Sequence, residues 1–297
     1  MPLAFAGTAP FAAGVLAGLA AAGRAPALVV TTPDKPSGRH AKPQPSPVTL
    51  AADQLGFTAI QPDRPDEAAA LARLRAGGID LLVVVAYGRI FRQGFLDEFT
   101  TICAHPSLLP RWRGAAPIER ALIAGDAETG VTTFKVTLGI DEGPIADVRR
   151  LEVGEDVDAG ALHEALTGPA VDGLLATLQA VSEGTVSWRP QVGESTYAEK
   201  ITAADRMVDW TRPAAAIVNQ VRALSPHIGA VTSIAGRRTL IWSARALAEP
   251  PAAAGGDRLV LPAGAGLVEV LELQQESRRR MSAAEFLRGA GRALTQP

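Results

Sequence analysis

One histidine and one carboxylate of this chain stand in positions suited to acid–base chemistry. His105 follows a short apolar run and precedes a loop that contains two prolines. A histidine at the carboxyl end of a buried strand can accept and release a proton near neutral pH. Asp141 stands in a Gly-Ile-Asp-Glu-Gly-Pro segment, where a carboxylate flanked by glycines can also simply form a turn. The residues alone leave a catalytic and a structural role open for both side chains.

Cys103 precedes His105 by two residues, so in an extended strand both side chains face the same cleft. A thiol beside an imidazole is a nucleophile and base pair for acyl transfer or hydrolysis. That chemistry requires a lowered thiol pKa, and no residue other than His105 argues for one. Cys103 is the only cysteine, which permits no internal disulfide, and the four histidines show no metal-ligand spacing. We therefore predict no metal site.

Two kinds of nucleotide-binding sequence are missing from the chain. The Gly7-Thr8 turn after the first apolar run lacks the Gly-x-Gly-x-x-Gly pattern of a dinucleotide site, and no phosphate-binding P-loop occurs. A formal charge of -2 excludes a uniformly basic surface. Contact with a nucleic acid must therefore come from a local patch.

The first 23 residues are apolar but do not read as a signal peptide or a membrane span. They contain no positively charged region, and Gly7, Thr8 and Pro10 interrupt the run where a strand would turn into a helix. We expect no membrane association and a cytoplasmic protein.

Strands alternate with helices in the first part of the chain. The apolar pattern predicts strands at residues 3–6, 27–30 and 81–86, a helix at 66–76, and strands around the Asp141 loop within 131–153. It also predicts a helix at 158–181 that breaks near Gly168-Pro169. The fold class is α/β, with a Rossmann-like, mostly parallel sheet and helices on both faces. Such sheets bind ligands beyond the carboxyl ends of their strands, where His105 lies.

The last hundred residues have a different pattern. Short strands at 231–234, 239–242, 259–261 and 267–273 between Gly or Pro turns predict a small OB-like β-barrel. We predict a catalytic domain at 1–186, a linker at 187–202 and the C-terminal domain at 203–297. Residues 201–297 carry twelve Arg against eight Asp or Glu, so the small domain is the basic one. That surplus is equally consistent with ordinary solvated charge.

Several segments resemble the methionyl-tRNA formyltransferases, a branch of the folate-dependent formyltransferases. The matching segments are Phe5-Ala6-Gly7-Thr8, the proline-rich basic loop at 34–47, Val84-Val85-Ala86-Tyr87-Gly88, the run from His105 to Pro117, residues 125–131, Tyr197-Ala198-Glu199-Lys200-Ile201, Asp209-Trp210, and residues 281–287. The basic loop and the C-terminal segments are specific to the tRNA enzymes, and the matches span nearly the whole chain.

The resemblance implies transfer of a formyl group from 10-formyltetrahydrofolate to the amino group of methionyl initiator tRNA. It implies catalytic roles for His105 and Asp141, and a C-terminal barrel that helps to hold tRNA. The implied folate contacts are Val85, Ala86, Tyr87, Ser107, Leu108, Leu109, Pro110 and Ile140. The implied RNA contacts are Lys35, Arg39 and Lys42. We expect the protein to be a monomer.

Cys103 departs from the family pattern, in which an asparagine precedes the histidine by two residues. Ser107-Leu108-Leu109-Pro110 fixes the register, so no gap can supply the missing amide. An asparagine would stabilise the charge that develops on the formyl oxygen, an effect of roughly 3 to 4 kcal/mol. A thiol is a much weaker donor. Cys103 is therefore our third candidate catalytic position.

Three alternatives stay open from the sequence. The first is a tRNA- or folate-binding family member that has lost catalysis. The second is a sugar-amine formyltransferase, although those enzymes lack the basic loop. The third is an acyltransferase or hydrolase that uses Cys103 and His105.

Overall fold

The computed structural model describes residues 2–36, 43–249 and 258–289. Within them the strands are β1 (Leu3–Gly7), β2 (Leu28–Val30), β3 (Lys35–Pro36), β4 (Pro43–Gln44), β5 (Ala59–Ile60), β6 (Leu81–Val85), β7 (Thr100–His105), β8 (Arg113–Gly114), β9 (Glu128–Lys135), β10 (Ile145–Glu152), β11 (Tyr197–Ala198), β12 (Ala230–Ile234), β13 (Arg237–Leu247), β14 (Leu259–Pro262), β15 (Leu267–Gln275) and β16 (Met281–Ser282). The helices are α1 (Pro10–Ala21), α2 (Pro47–Leu55), α3 (Ala68–Ala76), α4 (Gln93–Glu98), α5 (Pro117–Ala124), α6 (Ala159–Ser182), α7 (Ala203–Arg206), α8 (Ala214–Ala223) and α9 (Ala283–Arg288).

The large sheet has seven strands in the order β10-β9-β7-β6-β1-β2-β5. The five from β7 to β5 are parallel, β9 runs against them, and β10, which is antiparallel to β9, runs in their direction again. The chain builds outward from β1 through β2 to β5, then crosses to β6 on the other side of β1. This reversal between β1 and β6 is the topological switch point, where doubly wound sheets open a crevice for ligands.

Burial on both faces explains why the central strands form. All five residues of β6 are buried, as an uninterrupted Leu-Leu-Val-Val-Val run requires. Local signals start the flanking helices: Pro10 occupies the first turn of α1, and the Ser46 hydroxyl caps α2 by accepting a hydrogen bond from the Thr49 N–H at 3.0 Å.

The predicted break in the helix at 158–181 is wrong. Helix α6 runs through Pro169 without interruption for 24 residues. Leu166, Ala170 and Leu174 are fully buried along the same face. Burial of this stripe outweighs the roughly 3 kcal/mol that an interior proline costs.

The second sheet has five antiparallel strands. Its order is β12-β13-β15-β14, with β16 added to β15. Register shifts after Ile241 and Ser243 interrupt the pairing of β13 with β15, and such irregularities bend a strand. Phe286 of α9 and Val221 of α8 are buried in the core that this sheet covers. The predicted fold class is confirmed: a mixed α/β sheet flanked by helices is followed by an antiparallel half-barrel.

Two compact units divide the chain, and neither is continuous in sequence. The first comprises Met1–Pro117, Glu128–Glu152 and His163–Ala198, and the second comprises Ile118–Ala127, Val153–Leu162 and Glu199–Pro297. Within the second unit, Arg120 donates to both carboxylate oxygens of Asp205, at 2.6 and 3.2 Å. This pairing, more than any other contact, lowers the pKa of Asp205 to about 2. The domain bounds at 1–186, 187–202 and 203–297 stay a prediction.

No described helix is both long enough and apolar enough to cross a membrane. In the same described ranges, no group of three His, Cys, Asp or Glu side chains is arranged to hold a metal ion.

Candidate active site

His105 ends β7 and lies almost fully buried at the carboxyl edge of the large sheet. Its Nε2 atom is 2.8 Å from the main-chain oxygen of Trp112, and its Nδ1 atom is 3.5 Å from Oδ2 of Asp141. A carbonyl oxygen can only accept, so Nε2 carries a hydrogen in this arrangement. The ring is thus oriented from both sides, and its Nδ1 faces a carboxylate.

Asp141 lies on the loop between β9 and β10 and has a φ of 52°, in the left-handed region that few non-glycine residues adopt. Its Oδ2 accepts a hydrogen bond of 2.8 Å from the Gly114 N–H. Nearby Gly143 admits no side chain, since a Cβ there would lie 1.7 Å from the Lys135 oxygen. The Asp141 loop therefore turns back tightly against β9 and aims the carboxylate at His105.

Cys103 lies on the same face of β7 as His105, as alternation predicts. It packs beside a cluster formed by Leu109, Phe134 and Ile145. Burial, with a contribution from the Asp141 carboxylate, raises the pKa of the Cys103 thiol well above its ordinary value. The side chain is therefore a neutral thiol near neutral pH, which disfavours its use as a nucleophile.

The loop after His105 is fixed by buried hydrogen bonds. The Thr132 hydroxyl donates to the Ser107 oxygen at 2.7 Å and accepts from the Leu109 N–H at 3.1 Å. The Ser107 hydroxyl donates to the Arg111 oxygen at 2.6 Å. These contacts lie beside His105, because Thr132 on β9 is the pairing partner of His105 on the adjacent strand β7.

The predicted folate residues fall into two groups. Val85, Tyr87, Ser107 and Leu109 are buried, so their side chains belong to the core, while Leu108 and Pro110 are half-buried. Ala86 and Ile140 are exposed, and Ala86 has a φ of 43°. Ala86 lies at the switch point, where its main-chain oxygen accepts from the Thr8 N–H at 3.2 Å. Folate contact by these residues stays a prediction.

Of the predicted RNA contacts, only Lys35 is described. It is exposed on β3, which forms a two-stranded antiparallel ribbon with β4. Arg39 and Lys42 lie outside the described residues.

The sequence reasoning missed Trp112, Gly114 and Thr132, each of which fixes the site through a hydrogen bond. Two of these bonds use main-chain atoms, which no side-chain pattern reports. The Arg-Gly-Ala-Ala-Pro match after Trp112 was the available signal for Gly114.

The chain thus combines a Rossmann-like sheet, a histidine and a carboxylate at the carboxyl edge of that sheet, and a half-barrel. The formyl transferase profile matches residues 3–178, and the profile of the formyl transferase C-terminal domain matches residues 200–291. The chain belongs to the formyl transferase family.

Within that family the chain is similar to curated methionyl-tRNA formyltransferases. It is 41% identical to the enzyme of Symbiobacterium thermophilum, over 98% of this chain and 93% of the relative. It is 42% identical to that of Dinoroseobacter shibae, over 97% of both chains.

Solved structures share the fold at lower identity. HypX from Aquifex aeolicus in complex with tetrahydrofolic acid superposes with a TM-score of 0.68 at 16% identity; the match covers 97% of this chain and 47% of HypX, so the chain spans about half of that protein. An N-formyltransferase from Helicobacter canadensis, in complex with folinic acid and dTDP-3-aminofucose, gives 0.66 at 17% identity, over 93% and 100% of the two chains.

Proposed function

We propose that this protein transfers the formyl group of 10-formyltetrahydrofolate to the amino group of methionyl initiator tRNA. The observation that carries the proposal is the match to methionyl-tRNA formyltransferases over 97% or more of the chain, through both units. The geometry of His105 and Asp141 supports the same chemistry.

Formyl transfer requires that one proton change place. The substrate amine attacks the formyl carbon, a new N–C bond forms, and the bond to the folate nitrogen breaks as that nitrogen gains a proton. We assign this proton to His105, the titratable ring at the carboxyl edge of the sheet. Its Nε2 must exchange the Trp112 oxygen for the substrate before it can carry the proton, while Nδ1 stays beside Asp141. Asp141 fixes the ring and stabilises its positive charge during transfer.

The formyl oxygen gains negative charge while the amine adds. A hydrogen bond donor at the position of Cys103 would stabilise that charge, and the neutral thiol provides only a weak one. His105 lies on the same face of β7, but its Nε2 hydrogen points at the Trp112 oxygen and reaches the formyl oxygen only if that bond is exchanged. We therefore propose a working but slow chemical step.

The surface beside Asp141 suits an aromatic ligand. Leu138 and Ile140 stand two residues apart in the same loop, and they expose 59% and 58% of their surface. We propose that a flat ring such as the pteridine of folate packs on these side chains and that the main chain around Ala86 at the switch point supplies a polar edge.

Initiator tRNA is the proposed partner of the basic groups. Lys35, Arg39 and Lys42 would contact phosphates or base edges near the acceptor end. The second unit contributes exposed arginines at the start of β13, Arg237 and Arg238, and a third at Arg278. We further propose that the protein acts as a monomer in the cytoplasm.

A formylation assay tests the proposal directly. The protein is incubated with 10-formyltetrahydrofolate and either methionyl initiator tRNA, uncharged tRNA or a sugar-nucleotide amine. Formyl-methionyl-tRNA as the main product supports the proposal. Formylation of the sugar amine in preference to tRNA would overturn it, and tight binding of tRNA and folate without turnover would establish the binding-protein alternative.

A further inference from the structure

The main chain of the Asp141 loop is bonded at its base, where the Lys135 N–H donates to the Pro144 oxygen at 3.0 Å. Asp141 adopts a positive φ, which is unfavourable for a residue with a side chain, so the surrounding structure must impose it. The Gly114 N–H fixes the carboxylate, but it does not hold the main chain of the loop. Support for the main chain at residues 141–143 comes from a side chain.

Gln191 provides that support from a segment remote in sequence. Its Nε2 atom donates to the main-chain oxygen of Asp141 at 2.7 Å and to that of Gly143 at 3.0 Å. Both hydrogens of the amide are therefore used on the two carbonyls that flank Glu142. These carbonyls are drawn to one point, which closes the turn that carries Asp141.

The oxygen of the same amide is equally engaged. It accepts from Nε and Nη2 of Arg113, at 3.1 and 2.7 Å. The remaining Nη1 of Arg113 donates to Oε1 of Glu142 at 3.1 Å. Arg113 immediately precedes Gly114, whose N–H binds the Asp141 carboxylate. Gln191 thus connects the Asp141 loop with the Arg113-Gly114 segment. Its amide nitrogen holds the main chain of Asp141, and the Gly114 N–H holds the Asp141 carboxylate.

The anchor of Gln191 is itself rigid. Two residues earlier, Arg189 exchanges two main-chain hydrogen bonds with Ile145, at 2.7 and 2.9 Å. A few residues later, β11 pairs in parallel with β8. The segment is held on both sides of Gln191, so the amide is presented to the loop in a fixed position.

Only a glutamine matches these partners. Two carbonyl oxygens require a donor with two hydrogens, and the guanidinium requires an acceptor at the other end of the same plane. A glutamate of the same shape would keep the bond to Arg113 but would set a carboxylate against two carbonyl oxygens. A methionine would fill the space but would lose the hydrogen bonds to the two carbonyls and to Arg113.

We propose that Gln191 is a positioning residue for formyl transfer, which holds Asp141 against His105 by closing the Asp141 loop. The inference rests on the proposed function for its kinetic consequence. Its structural consequence, the placement of the carboxylate beside Nδ1 of His105, does not depend on the identity of the substrate.

The test compares Gln191→Glu with Gln191→Met in the full-length protein. Both should lower kcat by about 100-fold, since a shift of about 1 Å in a catalytic group costs that much. KM for 10-formyltetrahydrofolate and for methionyl initiator tRNA should stay close to the wild-type values. Retention of wild-type kcat by Gln191→Glu, with loss in Gln191→Met, would overturn the proposal, because Gln191 would then act only by holding Arg113.

Gln220 offers a matched control in the second unit. Its Nε2 donates to the main-chain oxygens of Asp205 and Met207, at 2.8 and 2.9 Å, so it closes a turn by the same pair of bonds. Gln220→Glu makes the same chemical change at a turn that carries no residue of the active site. It should lower the unfolding temperature while kcat per folded molecule is unchanged. An equal fall in kcat for both glutamate variants would show a general loss of stability and would overturn the proposal.

A readout without catalysis separates this inference from the proposed function. The ring nitrogens of His105 are followed by 15N NMR, and the signals are assigned by their loss in His105→Ala. Both Gln191 variants should shift the Nδ1 resonance, whereas Gln220→Glu should leave it in place. If the wild type does not formylate methionyl-tRNA, the proposed function fails, and the Nδ1 resonance still decides the role of Gln191: an unmoved signal refutes it.

Discussion

Oδ2 of Asp141 lies 3.5 Å from Nδ1 of His105 and also accepts a hydrogen bond from the Gly114 N–H. Asp141→Asn keeps an oxygen for Gly114 but removes the charge that faces the ring. We expect kcat for formyl transfer to fall by about 100-fold or more, the usual contribution of a positioned acid–base group. Single-turnover assays measure this step without product release. Glu128→Gln, a charge removal at an exposed residue at the start of β9, is the control and should have little effect. Unchanged turnover in Asp141→Asn would remove Asp141 from the mechanism.

Cys103→Asn tests the departure from the family pattern. The asparagine amide would stabilise charge that exists only in the transition state, so kcat should rise, by up to ~1000-fold if no other donor is in place. Binding of folate and tRNA, measured by equilibrium titration, should barely change. Cys103→Ala should match the wild type, since the thiol is a weak donor. A fast wild type that gains nothing from asparagine would mean that another donor serves the oxyanion.

The Cys103 thiol should react slowly with iodoacetamide. Burial, then the nearby Asp141 carboxylate, raises its pKa, so the neutral form dominates at pH 7 and the rate should increase only as the solution becomes strongly alkaline. Mass spectrometry of the labelled peptide follows the reaction, with the urea-unfolded chain as reference. Rapid labelling at neutral pH, or a covalent formyl adduct on Cys103, would instead favour the cysteine-dependent acyltransferase.

Glu269 should make the half-barrel sensitive to acid. It is buried beside Arg258 and Arg245, and hydrogen bonding to Arg258 is the main cause that lowers its pKa from 4.5 to about 2. The stabilisation is therefore fully present above about pH 4.5 and is lost as pH falls through about 2. Since Arg245 is more than half exposed, Glu269→Gln should cost roughly 1 to 2 kcal/mol of unfolding free energy at pH 7. Urea titrations at pH 7 and pH 3.5 should show this cost shrinking; a cost independent of pH would rule out the ion pairs as its source.

Arg39→Ala should separate RNA binding from folate binding. The loss of one guanidinium should raise KM for methionyl initiator tRNA and lessen its dependence on salt, by about one counterion. Folate affinity should stay the same, which fluorescence titration can establish. Arg24→Ala is a matched removal of positive charge outside the loop. Equal losses of tRNA and folate binding in Arg39→Ala would indicate a structural role for the loop.

The fold was largely predictable because burial leaves a direct mark on composition. Strands such as Leu81–Val85 are apolar throughout, and those of the half-barrel lie between glycine and proline turns. The prediction failed at Pro169, where a local rule was overridden by packing against residues far away in the chain. Helix α8 went unpredicted because its first turn, Ala-Ala-Ala-Ile, has little periodicity.

The site was predictable only where side chains mark it. His105 was suggested by its position after a buried strand, Asp141 was assigned through the family resemblance, and the structure brings the two together. Trp112 and Gly114 act through main-chain atoms, and Gln191 is 50 residues from Asp141 in sequence. Contacts of this kind depend on the completed fold, so no local pattern in the sequence could have revealed them.

The interleaving of the two units constrains how the protein can be made. A ribosome completes Arg120 and the carbonyl groups of Gly154 and Glu155 well before their partners Asp205 and Arg222. The second unit therefore cannot close during synthesis of the first 200 residues. A fragment that starts after Ala198 lacks Arg120 and the 153–162 segment from the outset, so a transplant of the small unit into a relative must carry all three of its segments.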